Sequence, residues 1–183
     1  MRIISGKAKA TKLYTLEGEN TRPTLDRIKE PLFSIIQTRI KNAIVLDLFS
    51  GSGALALESL SRGAKKAILC DNSVKAIEVI KKNIIKTHFE EQTEIICKDY
   101  KKCLENLNEK MDLIFIDPPY EKNLAINAVN IILNKDLLSE NGLIIVETND
   151  EKRELEQIKN LQIKVFDLRT YGRVKLLFLG REG

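Results

Sequence analysis

The stretch of sequence that decides the fold is Asp47-Leu48-Phe49-Ser50-Gly51-Ser52-Gly53, at residues 47–53. It continues an apolar run that begins at Ala43, and helical periodicity follows it over Ser52–Ser61. Glycine permits a tight turn and lets the backbone approach a ligand closely, and the start of a helix presents free N–H groups to an electron-rich partner. The stretch therefore predicts a strand, a ligand-binding glycine loop and a helix.

The rest of the chain alternates apolar runs with helical periodicity, which is typical of a parallel sheet covered on both faces. The last two runs are joined by a short connection that contains Gly172, and this predicts an antiparallel hairpin. We therefore expect the α/β class, with a mixed seven-stranded sheet and helices on both faces. The predicted strands are Ala43–Leu48, Lys66–Cys70, Thr93–Cys97, Met111–Ile116, Gly142–Thr148, Ile163–Leu168 and Val174–Leu179, and the predicted helices are Ser52–Ser61, Val74–Thr87, Tyr100–Asn106, Leu124–Leu133 and Glu151–Lys159.

Residues 1–41 are expected to form an N-terminal appendage and residues 42–183 the core, together one compact domain. Arg2–Ile4 and Lys12–Thr15 flank a turn of small residues around Gly6, which predicts a hairpin or a loose arm.

A helix is predicted after this arm. Thr24 is a suitable N-cap for a helix that runs to about Ile40, with one apolar face. Pro31 lies inside this run, and because proline lacks the N–H of the helix ladder, it predicts a kink or a restart.

The N-terminal segment is also the basic part of the chain. Residues 1–41 contain nine Lys and Arg against four acidic residues, whereas the whole chain carries a net charge of +4. A basic arm on a nearly neutral body suits contact with phosphates, although a solvated charged terminus explains the charge equally well. The candidate nucleic-acid-binding residues are Arg2, Lys7, Lys9, Lys12, Arg22 and Arg27.

Composition excludes several classes of protein. No stretch approaches the roughly 18–20 apolar residues of a membrane span, and the start of the chain turns basic too soon for a signal peptide. The three cysteines lack C-x-x-C spacing, and the single histidine gives little material for a metal site or a Ser-His-Asp triad. We therefore expect a cytoplasmic protein without a metal or a membrane partner.

Four aspartates lie at or just past the C-terminal ends of four successive predicted strands: Asp47, Asp71, Asp99 and Asp117. Any one of them would more often be a helix cap, but together they lie at the edge where open α/β sheets bind ligands. Asp71 is placed to accept hydrogen bonds from ribose hydroxyls, and Asp99 to accept one from an adenine amino group. Such a row would repel a pyrophosphate, whereas it suits S-adenosylmethionine, which carries cationic sulfonium and amino groups and no phosphate.

The most informative chemical motif is the corner Asp117-Pro118-Pro119-Tyr120, which follows the apolar run Leu113–Ile116. Each proline lacks an N–H and fixes its own φ, so the corner is rigid and rich in acceptors. A carboxylate and backbone carbonyls beside a flat ring suit a planar substrate with an NH₂ group. The alternative is an ordinary strand that ends in a proline turn.

These motifs resemble those of the class I S-adenosylmethionine-dependent methyltransferases that act on exocyclic amines, namely D-x-F-x-G-x-G and [D/N]-P-P-[Y/F]. The closer resemblance is to the bacterial small-subunit (16S) rRNA guanine-N2 methyltransferase family. It covers nearly the whole chain, through Met1–Lys7, Thr21–Arg27, Leu60–Ala64 and Tyr171-Gly172 as well as the two motifs. Asp71 departs from the family, which often has Glu there, and so does Pro31.

The resemblance implies a Rossmann-like class I methyltransferase fold, S-adenosylmethionine as cofactor, and small-subunit rRNA as partner, either free or in a partly assembled 30S particle. It implies methylation of the exocyclic N2 amine of a guanine. The catalytic residues would be Asp117 and Pro118, whose oxygens accept the amine N–H groups, and Tyr120, which stacks on the base. The implied cofactor-binding residues are Asp47, Phe49, Ser50, Gly51, Gly53, Asp71, Asn72, Asp99 and Tyr100.

Three alternatives remain open from the sequence. Methylation of DNA adenine-N6, of cytosine-N4 or of a protein glutamine uses a similar corner, although sequence-reading DNA enzymes usually carry a further recognition domain. An NAD(P)-dependent oxidoreductase is supported by Gly51-x-Gly53-x-x-Ala56 with Asp71 at a suitable spacing. A non-catalytic RNA-binding module is the third alternative, and the intact glycine loop and corner argue against it.

Overall fold

The computed structural model describes residues 1–16, 23–119 and 123–181, with residues 23–26 described in their backbone only. A single seven-stranded sheet has the order β3-β2-β1-β4-β5-β7-β6. The strands are β1 Ile44–Asp47, β2 Lys66–Asp71, β3 Thr93–Cys97, β4 Met111–Ile116, β5 Leu138–Thr148, β6 Lys164–Tyr171 and β7 Val174–Gly180; the helices are α1 Pro23–Ile36, α2 Ala54–Ser61, α3 Val74–Thr87, α4 Tyr100–Asn106, α5 Leu124–Asn134 and α6 Glu151–Ile158.

The strand order creates a crevice next to β1. This strand pairs in parallel with β2 on one side and with β4 on the other, so that Asp47 faces Leu69 and Phe115 in the two neighbours. The chain winds outward from β1 in one direction through β2 and β3, and in the other through β4 and β5. At such a switch point the connections diverge, and ligands bind beyond the carboxyl ends of the strands. As predicted, the last two strands are antiparallel.

The central strands are apolar on both sides because helices cover both faces of the sheet. On one face Val45 and Phe115 pack with the side chains of α1, α2 and α3, including Phe33. On the other face Leu46 and Ile114 pack with the side chains of α4, α5 and α6. None of the described helices is long and apolar enough to cross a lipid bilayer.

Several element bounds differ from the sequence prediction by one or more residues, and for two of them the physical reason is clear. Helix α2 begins at Ala54 rather than Ser52, because Gly51 and Gly53 both have positive φ, of 55° and 79°, and cannot continue a right-handed helix. Strand β5 begins at Leu138 rather than Gly142, because Leu138 pairs with Met111 before the register shifts.

The N-terminal segment is a hairpin that packs on the core. Its two halves are joined by backbone hydrogen bonds from Ile3 N to Thr11 O (3.0 Å) and from Leu13 N to Met1 O (3.0 Å). Glu58 of α2 accepts hydrogen bonds from the backbone N–H groups of the turn that follows Ile3, and it forms an ion pair at 3.3 Å with Lys29 of α1. Since Glu58 and Lys29 are both fully buried, the hairpin is fixed to α1 and α2 and is not a loose arm.

The helix that contains Pro31 does not restart there. Helix α1 continues through this residue to Ile36, and a 3-10 turn, Gln37–Arg39, follows it. The buried side chains of Ile28 and Phe33 lie on either side of the proline. Their packing holds the helix together despite the missing hydrogen bond, since most helix stability in proteins comes from tertiary contacts.

Candidate active site

A cavity of about 460 Å³ opens at the carboxyl edge of the sheet, around the ends of β1, β2 and β4. This volume is in the usual range for sites that hold a cofactor-sized ligand. The structure brings together nine of the residues that the sequence assigned to cofactor binding and catalysis, whereas Asp47, at the end of β1, and Gly53, just before α2, are not among the lining residues. The nine lining residues are Phe49, Ser50, Gly51, Asp71, Asn72, Asp99, Tyr100, Asp117 and Pro118.

The glycine loop is held by its own backbone and by the neighbouring strand. Ser50 donates its N–H to the carbonyl of Cys70 (2.9 Å) and its hydroxyl to the carbonyl of Asp47 (2.7 Å). A Cβ on Gly53 would lie 2.9 Å from Leu69 Cδ2, so the buried Leu69 side chain would have to shift to admit it. A Cβ on Gly51 would meet nothing within 4 Å, so the space above this residue is open to a ligand.

Asp47 is the buried carboxylate of the site. Its exposed fraction is 2%, and this burial is the main reason that its pKa rises to about 7. The nearby carboxylates of Asp117 and Asp71 raise the pKa further, and the backbone N–H of Ala56 opposes them in part. Its Oδ2 atom has no hydrogen-bond partner among the described residues. A buried acceptor of this kind fits a cationic group such as the amino group of a methionine moiety.

The next two strand-end aspartates already bind backbone groups. Asp71 accepts hydrogen bonds from Gly51 N and Ser73 N, both at 2.9 Å, so it fixes the glycine loop from the end of β2. Asp99 is the N-cap of α4 and accepts from the backbone of Lys101 at 3.0 Å. Both residues also line the cavity, and their contacts with ribose and adenine stay predictions.

Two aromatic rings form the apolar wall of the cavity. The rings of Phe49 and Tyr100 pack at a centroid distance of 5.5 Å with an interplanar angle of 37°. Tyr100 is 8% exposed, and its hydroxyl is buried without a hydrogen-bond partner among the described residues. A flat group such as adenine can pack here and also offer a polar atom to that hydroxyl.

The corner that follows β4 lies beside a second carboxylate that the sequence analysis missed. Ile116 pairs with Val146 in the parallel register of β4 and β5, so the next residues, Asp117 and Glu147, are neighbours at the sheet edge. Both line the cavity. Glu147 is itself a strand-end acid, and the rule that found the four aspartates would have found it. Tyr120 lies outside the described residues.

The hairpin supplies another wall of the cavity, through Met1 and Thr15. No local sequence signal indicates this, because it results from the packing of the hairpin on α2. The predicted basic residues on the hairpin are all exposed, and none has an ion pair within the described part of the chain; they are Arg2, Lys7, Lys9 and Lys12.

The two remaining basic candidates lie after the hairpin. Arg27 of α1 is exposed, and with Ile28, Tyr171 and Gly172 it lines a separate cavity of about 210 Å³. Arg22 lies outside the described residues, so its predicted contact with nucleic acid stays a prediction.

The residues present fit S-adenosylmethionine. Asp47 offers an unpartnered buried acceptor, the glycine loop offers open backbone, and Phe49 and Tyr100 offer an apolar wall. Among the described residues there is no cluster of three or more His, Cys, Asp or Glu side chains that could bind a metal ion.

The chain is similar to known proteins along nearly its whole length. The family model described as "Conserved hypothetical protein 95" matches residues 1–180. Ribosomal RNA small subunit methyltransferase D of Haemophilus influenzae is 38% identical over 156 residues, which cover 83% of this chain and 80% of that protein. The protein of the same name from Buchnera aphidicola (subsp. Acyrthosiphon pisum) is 36% identical over 159 residues, which cover 86% and 82%.

The likeness extends to the three-dimensional structure. The solved structure of the Escherichia coli protein yhhF superposes with a TM-score of 0.87 at 28% identity, over 100% of this chain and 98% of that one. The predicted Rossmann-like class I methyltransferase fold is confirmed, and a methyltransferase is favoured over the oxidoreductase alternative. The chain belongs to the family of conserved hypothetical protein 95, which includes the bacterial small-subunit rRNA methyltransferases, and its cofactor is S-adenosylmethionine.

Proposed function

We propose that this protein methylates the exocyclic N2 amine of a guanine in small-subunit rRNA. The observation that carries the proposal is the pair of carboxylates, Asp117 and Glu147, side by side at the rim of the donor cavity. The relatives described above, which are named for the methylation of small-subunit rRNA, support the substrate class.

The carboxylate pair favours guanine because of the pattern of its Watson–Crick edge. Guanine presents N1–H next to its N2 amine, so three N–H donors lie in a row. Adenine and cytosine present their amine next to a ring nitrogen that accepts hydrogen bonds. An ionised carboxylate is an acceptor only. Glu147 therefore stabilises guanine through N1–H, whereas it repels the lone pair of adenine N1 or cytosine N3.

The reaction assigns distinct tasks to the residues of the corner. S-adenosylmethionine, when bound, supplies the methyl group from its sulfonium. Asp117 and the carbonyl of Pro118 accept the two amine N–H groups, which turns the nitrogen towards the donor and holds the reacting atoms in place. The carboxylate of Asp117 is positioned to accept the proton that the amine loses. Tyr120 is assigned to stacking on the base, which must first leave its helix.

The donor side of the cavity uses the buried carboxylate. Asp47 would pair with the donor's amino group, since its Oδ2 has no other partner among the described residues. Phe49 and Tyr100 would hold the adenine, and Asp71 the ribose while it also fixes Gly51.

The N-terminal appendage, residues 1–41, is proposed to bind the RNA next to the methyltransferase core, residues 42–183. Its exposed cations are fixed relative to the cavity, because the buried Glu58–Lys29 pair joins the hairpin to two helices. Lysine and arginine side chains that neutralise phosphates supply most non-specific affinity for nucleic acids. With rRNA or a partly assembled 30S particle as its substrate, the protein would work in the cytoplasm.

The proposal is tested by methyl transfer from labelled donor to small-subunit RNA and to partly assembled particles. The RNA is then digested to nucleosides, and nuclease mapping locates the labelled base. We expect label in N2-methylguanosine at one site. Label in N6-methyladenosine or N4-methylcytidine would contradict the base assignment, and label only in protein would contradict the substrate class.

A further inference from the structure

Tyr14 is an exposed aromatic residue whose backbone is held in place by hydrogen bonds. The exposed fraction of the residue is 51%. Its backbone, in contrast, is held on both sides by the fully buried Asn83, which accepts from Tyr14 N at 2.7 Å and donates to Tyr14 O at 2.9 Å. The same Asn83 amide donates to the carbonyl of Ser52 in the glycine loop at 2.9 Å. The ring is thus displayed at a position fixed relative to the active site.

Tyr14 is adjacent in the chain to a residue of the donor cavity, and its ring lies near positive charges. The next residue, Thr15, lines that cavity. The Nζ atom of Lys86 lies 4.5 Å from the ring centroid, over one face. The solvent side of α3 exposes four lysines and one acid, Glu78. The four lysines are Lys75, Lys81, Lys82 and Lys86. Lys12 on the hairpin is also exposed.

We propose that Tyr14 and Lys86 form a stacking platform for an unpaired RNA nucleotide that flanks the target base. An aromatic face surrounded by cations is the usual arrangement for binding single-stranded nucleic acid, because bases stack on the ring and phosphates pair with the cations. The excess of lysines favours a polyanion over a protein partner. This inference rests on the proposed function, because it presumes that the substrate is RNA.

The test compares variants of two exposed aromatic residues that each lie near a lysine. The control residue is Phe166, which is 56% exposed and has Lys164 Nζ at 6.0 Å from its ring. It lies on the edge strand β6, whereas α3 packs near the opposite edge of the sheet. We expect Tyr14→Ala to raise the Kd for single-stranded target RNA about 5- to 150-fold, because this is the effect of losing one stacked base. Tyr14→Phe keeps a flat ring and should retain affinity, and Phe166→Ala should leave it unchanged.

A second measurement reports stacking directly. The adenine analogue 2-aminopurine, placed in turn at each nucleotide that flanks the target, loses fluorescence when it stacks on a ring. We expect one position to be quenched by the wild type and by Tyr14→Phe but not by Tyr14→Ala, with the affinity for S-adenosylmethionine unchanged throughout.

The outcomes separate this inference from the proposed function. If the wild type methylates RNA and Tyr14→Ala behaves like Phe166→Ala in both measurements, the platform is wrong and the proposed function stands. If the wild type neither binds nor methylates RNA, both are wrong. A loss confined to assembled particles, with naked RNA unaffected, would assign Tyr14 to a protein surface and overturn the platform.

Discussion

The carboxylate-lined edge of the sheet and the basic N-terminal hairpin carry charges of opposite sign in opposite surroundings. At the sheet edge, Asp47 is buried, and Asp71 and Asp99 bind backbone N–H groups. On the hairpin the basic side chains are exposed and have no ion pairs within the described residues.

The difference shows how the same protein could bind two kinds of ligand. A buried charge in a fixed position selects one complementary group, because the cost of leaving it unpaired is high. An exposed charge is screened and adaptable, so it attracts a polyanion without choosing a sequence. The sheet edge should therefore determine the methyl-transfer chemistry, and the hairpin should determine the affinity for RNA. The four predictions that follow test this division.

The largest effect is expected at the corner. Asp117→Ala should lower the methyl-transfer rate roughly 10³-fold, because it removes both an amine acceptor and the proton acceptor. The Kd for S-adenosylmethionine should stay within about tenfold, since a general base contributes to the rate far more than to donor affinity. Single-turnover transfer and calorimetry measure the two quantities. The control is Asp136→Ala, an exposed aspartate paired with Lys110. Near-normal transfer by Asp117→Ala would remove the corner from the mechanism.

The second effect concerns the choice of base. Glu147→Gln should lower kcat/KM about 10- to 100-fold on RNA with guanine at the target position, because the variant loses a hydrogen bond to a charged group. Selectivity for guanine over adenine at that position should also fall, because a glutamine NH₂ group can donate to adenine N1. Rates on RNAs that differ only at the target base measure this. Unchanged selectivity would mean that Glu147 does not contact the base.

The third effect is a pH dependence of donor binding. The pKa of Asp47 is raised to about 7 in the free protein, so this carboxyl is largely protonated below pH 7. Pairing with a cationic amino group needs the ionised form. Affinity for S-adenosylmethionine should therefore weaken as pH falls below 7, by up to about tenfold per pH unit. Asp47→Asn should bind more weakly at pH 7.5 and show no such slope, as measured by calorimetry.

The stability of the free protein provides the control for this assignment. A raised pKa means that ionising Asp47 destabilises the fold as pH rises from about 4 to 7. Asp47→Asn should therefore unfold at a higher denaturant concentration than the wild type above pH 7, and the difference should vanish near pH 4. Identical pH profiles for the two proteins would contradict a buried, titrating Asp47.

The smallest effect is expected on the hairpin. Replacing Lys7, Lys9 and Lys12 by Gln should weaken RNA binding several-fold. The slope of the logarithm of the binding constant against the logarithm of the salt concentration should become shallower by about 2, because each lost phosphate contact contributes about 0.7. The turnover of bound RNA should not change. The control replaces three exposed lysines elsewhere, Lys110, Lys159 and Lys164. An equal slope in both triple variants would show that the hairpin does not bind phosphates.

Much of the sheet was predictable because local patterns determine it. The predicted bounds Thr93–Cys97 and Met111–Ile116 are those of β3 and β4, since short apolar runs between turn signals mark buried strands. The strand-end aspartates were placed at one edge by the same logic. Asp99 shows the overlap of roles at that edge, because it caps α4 and lines the cavity as well.

The rest depends on contacts between distant parts of the chain. Glu147 lies beside Asp117 only through the pairing of β4 with β5. Thr15 reaches the cavity because Asn83, 69 residues from Tyr14, holds the backbone of the preceding residue. The continuity of α1 through Pro31 likewise results from tertiary packing, and no local pattern of the sequence encodes these contacts.

The most direct test of the central claim replaces the mapped target guanine by inosine, which keeps N1–H and O6 and lacks only the N2 amine. Binding of the two RNAs and methyl transfer to them are measured side by side. We predict that the inosine RNA binds within a few-fold of the guanine RNA and receives no methyl group. Transfer to the inosine RNA at the same position would contradict the assignment of the Asp117 corner to a guanine N2 amine.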